Sequence, residues 1–156
     1  MEEKKDIKKI YSEMQKKLGL PDFAAMDNEF EISTIEAEDF LLREIRRRVH
    51  DKIDAICKSL DSVLQPEATL HQMYESGVFS DEEKKQIYLM YKSLMNMHRE
   101  GMMLEIQCLN DMDAKFIKDF MAKWKKIKPQ LVDIFKKLAE SWTKDSDIEE
   151  KLGYFG

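Results

Sequence analysis

Between Leu42 and Val63 the apolar residues Leu42, Ile45, Val49, Ile53, Ile56, Leu60 and Val63 recur in steps of three and four. Such steps line up on one stripe of an α-helix at about 100° per residue. No Gly or Pro interrupts the run. Ser33 followed by Glu36 offers a capping box at its start, and Gln65-Pro66 closes it, so the pattern predicts one long helix over 34–64.

The same periodicity predicts a first helix over 2–18, with Ile7, Ile10, Tyr11, Met14 and Leu18 on one face and Gly19 placed to end it ahead of Pro21. Residues 19–33 read as a connector, yet an unusually apolar one: Phe23, Met26, Phe30 and Ile32 punctuate it. A solvated linker would not carry two phenylalanines, so this segment is expected to pack across the bundle or to dock on a partner. Pro66 suits the first position of a short helix ending near Gly77. Ser80 and Glu83 form a second capping box, opening a helix to about Cys108.

That helix is apolar on two sides, with Tyr91, Leu94, Met97 or His98, Gly101 and Met102 on one and Met95, Met103, Ile106 and Leu109 on the other. Two apolar sides predict a central position, and Gly101 predicts a close helix–helix approach. Asn110 or Asp111 can cap a following helix in which Met112, Phe116, Phe120 and Trp124 step by four. Pro129 then bends the chain or starts a new helix, whose face is Leu131, Phe135, Leu138 and Trp142.

The fold implied is all-α: a single-domain bundle of five or six helices over residues 1–144. Its parts are the first helix (1–18), the connector (19–33) and the main bundle (34–144), whose two longest helices, 34–64 and 80–108, pack antiparallel. Residues 145–156 form an acidic tail ending in Leu152, Tyr154 and Phe155. That ending is either an exposed linear motif or a cover folded over the end of the bundle.

Composition supports a folded domain. Of 156 residues, 43% are hydrophobic and 37% charged, and 5 Gly with 3 Pro leave little turn chemistry for strands. A formal charge of -5 argues against sequence-blind nucleic-acid binding by the whole surface. Cys57 and Cys108 lie too far apart for a metal knuckle or a redox pair and read as two buried, reduced thiols. The charged N-terminus resembles no signal sequence and no apolar run is long enough for a membrane span, so the expectation is a cytoplasmic protein.

Catalytic chemistry finds few candidates. Three His and no glycine-flanked Ser or Cys make a nucleophilic triad a poor reading, and no phosphate-cradling glycine loop occurs. Glu67, His71 and Glu75, spaced by four, could ligate a metal if another helix supplied carboxylates, but a solvated face is the plainer reading. The 11 Met serve first as adaptable core filling and second as the lining of a partner groove. No cofactor, metal or catalytic residue is assigned.

Two basic regions remain. In Arg43, Arg46, Arg47 and Arg48, acids four positions away neutralise all but one: Asp39 for Arg43, Glu44 for Arg48, Asp51 for Arg47. Arg46 has no such neighbour, lies at the edge of the apolar seam beside His50, and is expected to be bridged from another helix or else left to a partner. The second region, 115–128, interleaves lysines with aromatics, which segregate onto opposite helix faces. Lysines of this kind can grip a phosphate backbone or an anionic membrane.

The function expected is that of a non-catalytic helical interaction or adaptor protein, binding a protein partner or a second copy of itself. Candidate partner-binding residues are Arg46, His50, Phe23, Phe30, Leu152, Tyr154 and Phe155. The alternative is an RNA- or ribosome-associated protein using Arg43, Arg46, Arg47, Lys115, Lys118, Lys125 and Lys126. A carboxylate–His metalloenzyme comes third.

Overall fold

The computed structural model describes residues 6–36 and 39–144. Within them the fold is all-α: α1 (Ile7–Leu18), α2 (Phe23–Phe30), a short 3-10 turn (Ile32–Thr34), α3 (Leu41–Leu64), α4 (Leu70–Ser76), α5 (Asp81–Gln107) and α6 (Asn110–Ser141). Contacts group the chain into two compact units, Met1–Ile53 with Met97–Trp124, and Asp54–Asn96 with Lys125–Gly156.

Several predicted boundaries shift for identifiable reasons. Asp6 caps α1, its side chain accepting from Lys8 N, and the described helix starts at Ile7, the predicted residues 2–5 lying outside the described residues; Gly19 ends it at φ 65° as expected. The 19–33 connector is itself mostly helix. Asp22 caps α2 through Ala25 N, and the helix buries Met26 and Phe30.

The capping box at Ser33 does not form. Ser33 N instead donates to Asp27 Oδ1 at 2.7 Å, and Ile35 is extended, so α3 begins at Leu41. Ile32 and the extended Ile35 are both buried ahead of the helix. Burial here outweighs local helix propensity. Pro66 likewise does not open α4, which starts at Leu70 behind Thr69. Ser80 and Glu83 do form their reciprocal box: Ser80 N donates to Glu83 Oε2 at 2.7 Å, and Glu83 N to Ser80 Oγ at 3.2 Å.

The longest helix is α6, at 32 residues against 27 for α5 and 24 for α3, because Pro129 sits inside it without ending it. Proline removes one i→i−4 bond, here to the Lys125 carbonyl; both residues are exposed, where water can satisfy the orphaned oxygen. Asn110 is already the first residue of α6 rather than a cap outside it.

In the first unit the core gathers Tyr11, Met26, Phe30, Ile32, Leu42, Ile45, Val49, Ile53, Phe116, Ile117 and Phe120. Phe30 meets Phe120 edge-on at 5.8 Å, and Tyr11 donates its hydroxyl to Pro21 O at 2.6 Å. Trp124 Nε1 donates to Glu29 Oε2 at 2.9 Å, while Lys52 Nζ donates to Glu29 O at 2.6 Å. The second unit buries Leu60, Val63, Tyr74, Phe79, Ile87, Leu94, Leu131 and Leu138. There Tyr74 donates to Ser141 O at 2.7 Å, and Lys137 pairs with Glu83 at 2.6 Å, joining α6 to the first turn of α5.

Candidate functional site

The first unit concentrates its polar chemistry where α3, α5 and α6 meet. Arg46 is only 1% exposed, the largest of the fully buried side chains. Its Nε donates to Asp113 Oδ1 at 2.6 Å, its Nη1 to Gly101 O at 3.3 Å and its Nη2 to Glu105 Oε2 at 2.5 Å. One planar guanidinium thus ties three helices together, a task its fork of donors suits. The cross-helix bridge expected for Arg46 is present, and α3 and α5 run antiparallel in this unit, residue 46 facing 105 and residue 50 facing 98.

The carboxylates respond in opposite ways. Glu105, hydrogen-bonded by Arg47 and then Arg46, is held down to about 2. Burial raises Asp113 above the ordinary carboxylate value, against the opposing pull of Arg46. Asp113 Oδ2 and Arg43 Nε are buried without a hydrogen-bond partner, which makes this network costly as well as specific.

The remaining arginines find partners other than those the spacing suggests. Arg43 lies over the Phe40 ring at 4.6 Å instead of pairing with Asp39. Arg47 pairs with Glu44 at 2.5 Å and Glu105 at 2.6 Å rather than with Asp51. Arg48, expected to pair with Glu44, reaches across to Phe30 O at 3.0 Å, Glu31 O at 2.6 Å and Thr34 Oγ1 at 2.9 Å. It thereby satisfies the carbonyl end of α2, where Glu31 adopts φ 51°.

His50 shows why Gly101 is a glycine. A Cβ built on Gly101 would lie 2.5 Å from His50 Cδ2, inside any tolerable contact. The close approach predicted for this glycine is the seat of an imidazole. His50 Nε2 lies 3.0 Å from His98 O, which requires that nitrogen to carry the proton, and the two imidazoles lie 4.4 Å apart, tilted by 38° to one another.

Beside this pair runs a surface groove of about 390 Å³ lined by Arg46, Arg47, His50, Asp51, Gly101, Met102, Glu105 and Ile106. Its outer lip is formed by Met102 and Ile106, one from each of the two apolar sides of α5 that were expected to be buried. Instead Met102 is 46% exposed, Met103 45%, Leu109 53% and Ile106 84%. Among the described residues nothing covers them, so at its C-terminal end α5 lies at an edge rather than at a centre.

The other candidates scatter. Phe30 is core, not a contact surface, since α2 turns it onto Phe120; Phe23 is half-buried, with its ring 5.5 Å from Tyr11. Lys115 pairs with Asp119 at 3.3 Å, and Lys118 donates to Leu18 O at 2.9 Å. Lys125 and Lys126 are exposed on α6. Leu152, Tyr154 and Phe155 lie outside the described residues. Cys57 is buried as expected, but Cys108 is exposed, just past the last turn of α5 at φ 55°.

Sequence reasoning missed Asp113 and Glu105, the acids that answer Arg46, because partners from other helices leave no local spacing signal. Among the described residues no group of three or more His, Cys, Asp or Glu is arranged to hold a metal, and no helix is long and apolar enough to cross a membrane. Compared with protein-family models, curated protein sequences and solved structures, the chain matches none.

Proposed function

We propose that this chain is a non-catalytic helical interaction protein, working in the cytoplasm, whose contact surface is the groove and apolar lip at the C-terminal end of α5. The observation that carries the reading is Ile106, 84% exposed beside the half-exposed Met102 and Met103. Contiguous apolar side chains standing out next to a groove favour burial by another macromolecule. Methionines lend such a surface the ability to repack around its partner. The Arg46 bridge supports the reading indirectly, since it fixes the groove walls before any partner arrives and lowers the entropy lost on binding.

The alternative, RNA association through the arginines, is weakened by their placement: Arg46 is enclosed and Arg47 is held between two acids. The test compares the native chain with Ile106→Glu and Met102→Glu by affinity capture and light scattering, with circular dichroism as the control for folding. A partner or a self-associated species lost in both variants, with helicity kept, is the expected result. A strictly monomeric native chain that retains no protein refutes the reading.

A further inference from the structure

The second unit holds a cleft of about 280 Å³ between α5 and α6, and it shares no residue with the groove of the first unit. Its inside is apolar: Phe79, Ile87 and Met90 are buried and Ile134 is half-buried. Along α5 it reaches from Glu83 to Met90, about 10 Å at 1.5 Å per residue. At about 30 Å³ per water it has the volume of roughly nine waters, room for a ligand of about ten non-hydrogen atoms.

The charges of its walls do not cancel. Lys137 is committed to Glu83 at 2.6 Å and lies 5.3 Å from the centre of the Phe79 ring, so that pair is neutral. Asp133, on the same wall, has no cation among the described residues. Lys136, three positions on, lies against Glu140 at 4.0 Å; Lys137, four positions on, is the one held by Glu83; Gln130 and Pro129 precede it by three and four. Lys126 stands seven positions earlier, about 10 Å along α6, and is not part of the wall. On the α5 side Glu82 adds a second acid and accepts from Gln86 Nε2 at 3.4 Å. Gln130 Nε2 likewise donates to Lys126 O at 3.1 Å. Both glutamines thus spend a donor on their own helix and keep their amide oxygens for a ligand. The cleft combines apolar walls with acceptors and one uncompensated negative charge.

We propose that this cleft binds a small primary ammonium ion with an apolar body, an alkyl- or arylalkylamine. The ammonium donates to Asp133 and to the amide oxygens of Gln86 and Gln130, while the body covers Ile87, Met90 and Ile134. Asp133 is exposed, so the cation keeps its contact with water at the rim as the apolar part leaves it. An apolar hollow with a few convergent polar groups is the usual form of a small-molecule site. A carboxylate of the same shape meets the repulsion of Asp133 and Glu82, and an alcohol forgoes the charge-assisted hydrogen bond.

The experiment titrates the full-length chain, carrying isotope-labelled methionine methyl groups, with phenethylammonium, phenethyl alcohol and hydrocinnamate, followed by NMR. Phenethylammonium should move the Met90 methyl resonance saturably at millimolar concentration, as befits so few contact atoms. The alcohol and the carboxylate should bind several-fold more weakly. Asp133→Asn should bring the ammonium down to the affinity of the alcohol with helicity unchanged, and added salt should narrow the same gap in the native chain. Four results overturn the proposal: no saturable movement of Met90, a carboxylate that binds as well as the ammonium, an affinity that survives Asp133→Asn, or movement of Met102 and Met103 with Met90 still.

Discussion

Arg46 Nε and Asp113 Oδ1 lie 2.6 Å apart across 67 positions of sequence, with neither side chain more than 1% exposed. A buried pair of this kind holds one arrangement of α3, α5 and α6 and penalises the rest, because any other arrangement leaves a charge without its counterpart.

Arg46→Ala should therefore cost about 3–5 kcal/mol, since it strands Asp113 in the core and removes a donor from Glu105. Replacing both partners by apolar residues of similar volume, Arg46→Met with Asp113→Leu, should cost clearly less than Arg46→Ala alone. Urea unfolding of the two variants and the native chain measures this. A double variant as unstable as Arg46→Ala contradicts the account.

Gly101→Ala sets helix propensity against packing. In an open helix the change would gain about 1 kcal/mol. Here the new methyl meets the His50 ring at 2.5 Å, so destabilisation of roughly 1–3 kcal/mol is expected instead. Adding His50→Ala removes the obstacle and should recover part of the loss, read as a rise in Tm over the single variant.

The thiols should divide sharply. Cys57 is buried, and desolvation, with Asp54 and Asp61 nearby, pushes it up to about 11, so very little thiolate forms near neutral pH. Cys108 is exposed. A thiol reagent should label one cysteine per chain promptly and the second only on unfolding, and Cys108→Ser should abolish the prompt phase.

On acidification Glu105 and Glu83 govern the low-pH limb. Both are held down to about 2, Glu105 by Arg47 and Arg46, Glu83 by Lys137 and Ser80 N. A depressed carboxylate contributes stability above its unfolded value, so their contribution is present at neutral pH and is lost as pH falls from about 4.5 towards 2. Asp113 has the opposite sign: its raised value favours the protonated folded form, and the stability it contributes appears as pH falls. Glu105→Gln should flatten the decline between pH 5 and 2, and Asp113→Asn should steepen it, as followed by thermal unfolding.

What the sequence made legible was whatever depends on periodicity and local caps. The stripe of α3, the Ser80–Glu83 box, the Gly19 terminus and the tight approach at Gly101 all rest on residues within a few positions of one another, or on the small size of one residue. The errors came where distant burial decided. The helix predicted from 34 begins only at Leu41, with Ile32 and Ile35 buried ahead of it, and Ile106 reads as core because periodicity records that a residue is apolar, not whether another helix arrives to cover it. For Arg46, sequence indicated that a partner must come from elsewhere; naming Glu105 and Asp113 required the fold.

The first unit is assembled from two stretches of chain, Met1–Ile53 and Met97–Trp124, with 54–96 intervening. On a ribosome the first stretch emerges long before the second, so Arg46 waits in water until Gly101, Glu105 and Asp113 have been synthesised. Closing loops of this length is entropically slow, and the apolar stripe of α3 stays uncovered meanwhile. Nascent chains stopped before residue 97 therefore cannot complete this core and offer α3 to whatever apolar surface is at hand, which makes the order of synthesis, as much as the final contacts, a determinant of how safely this protein folds.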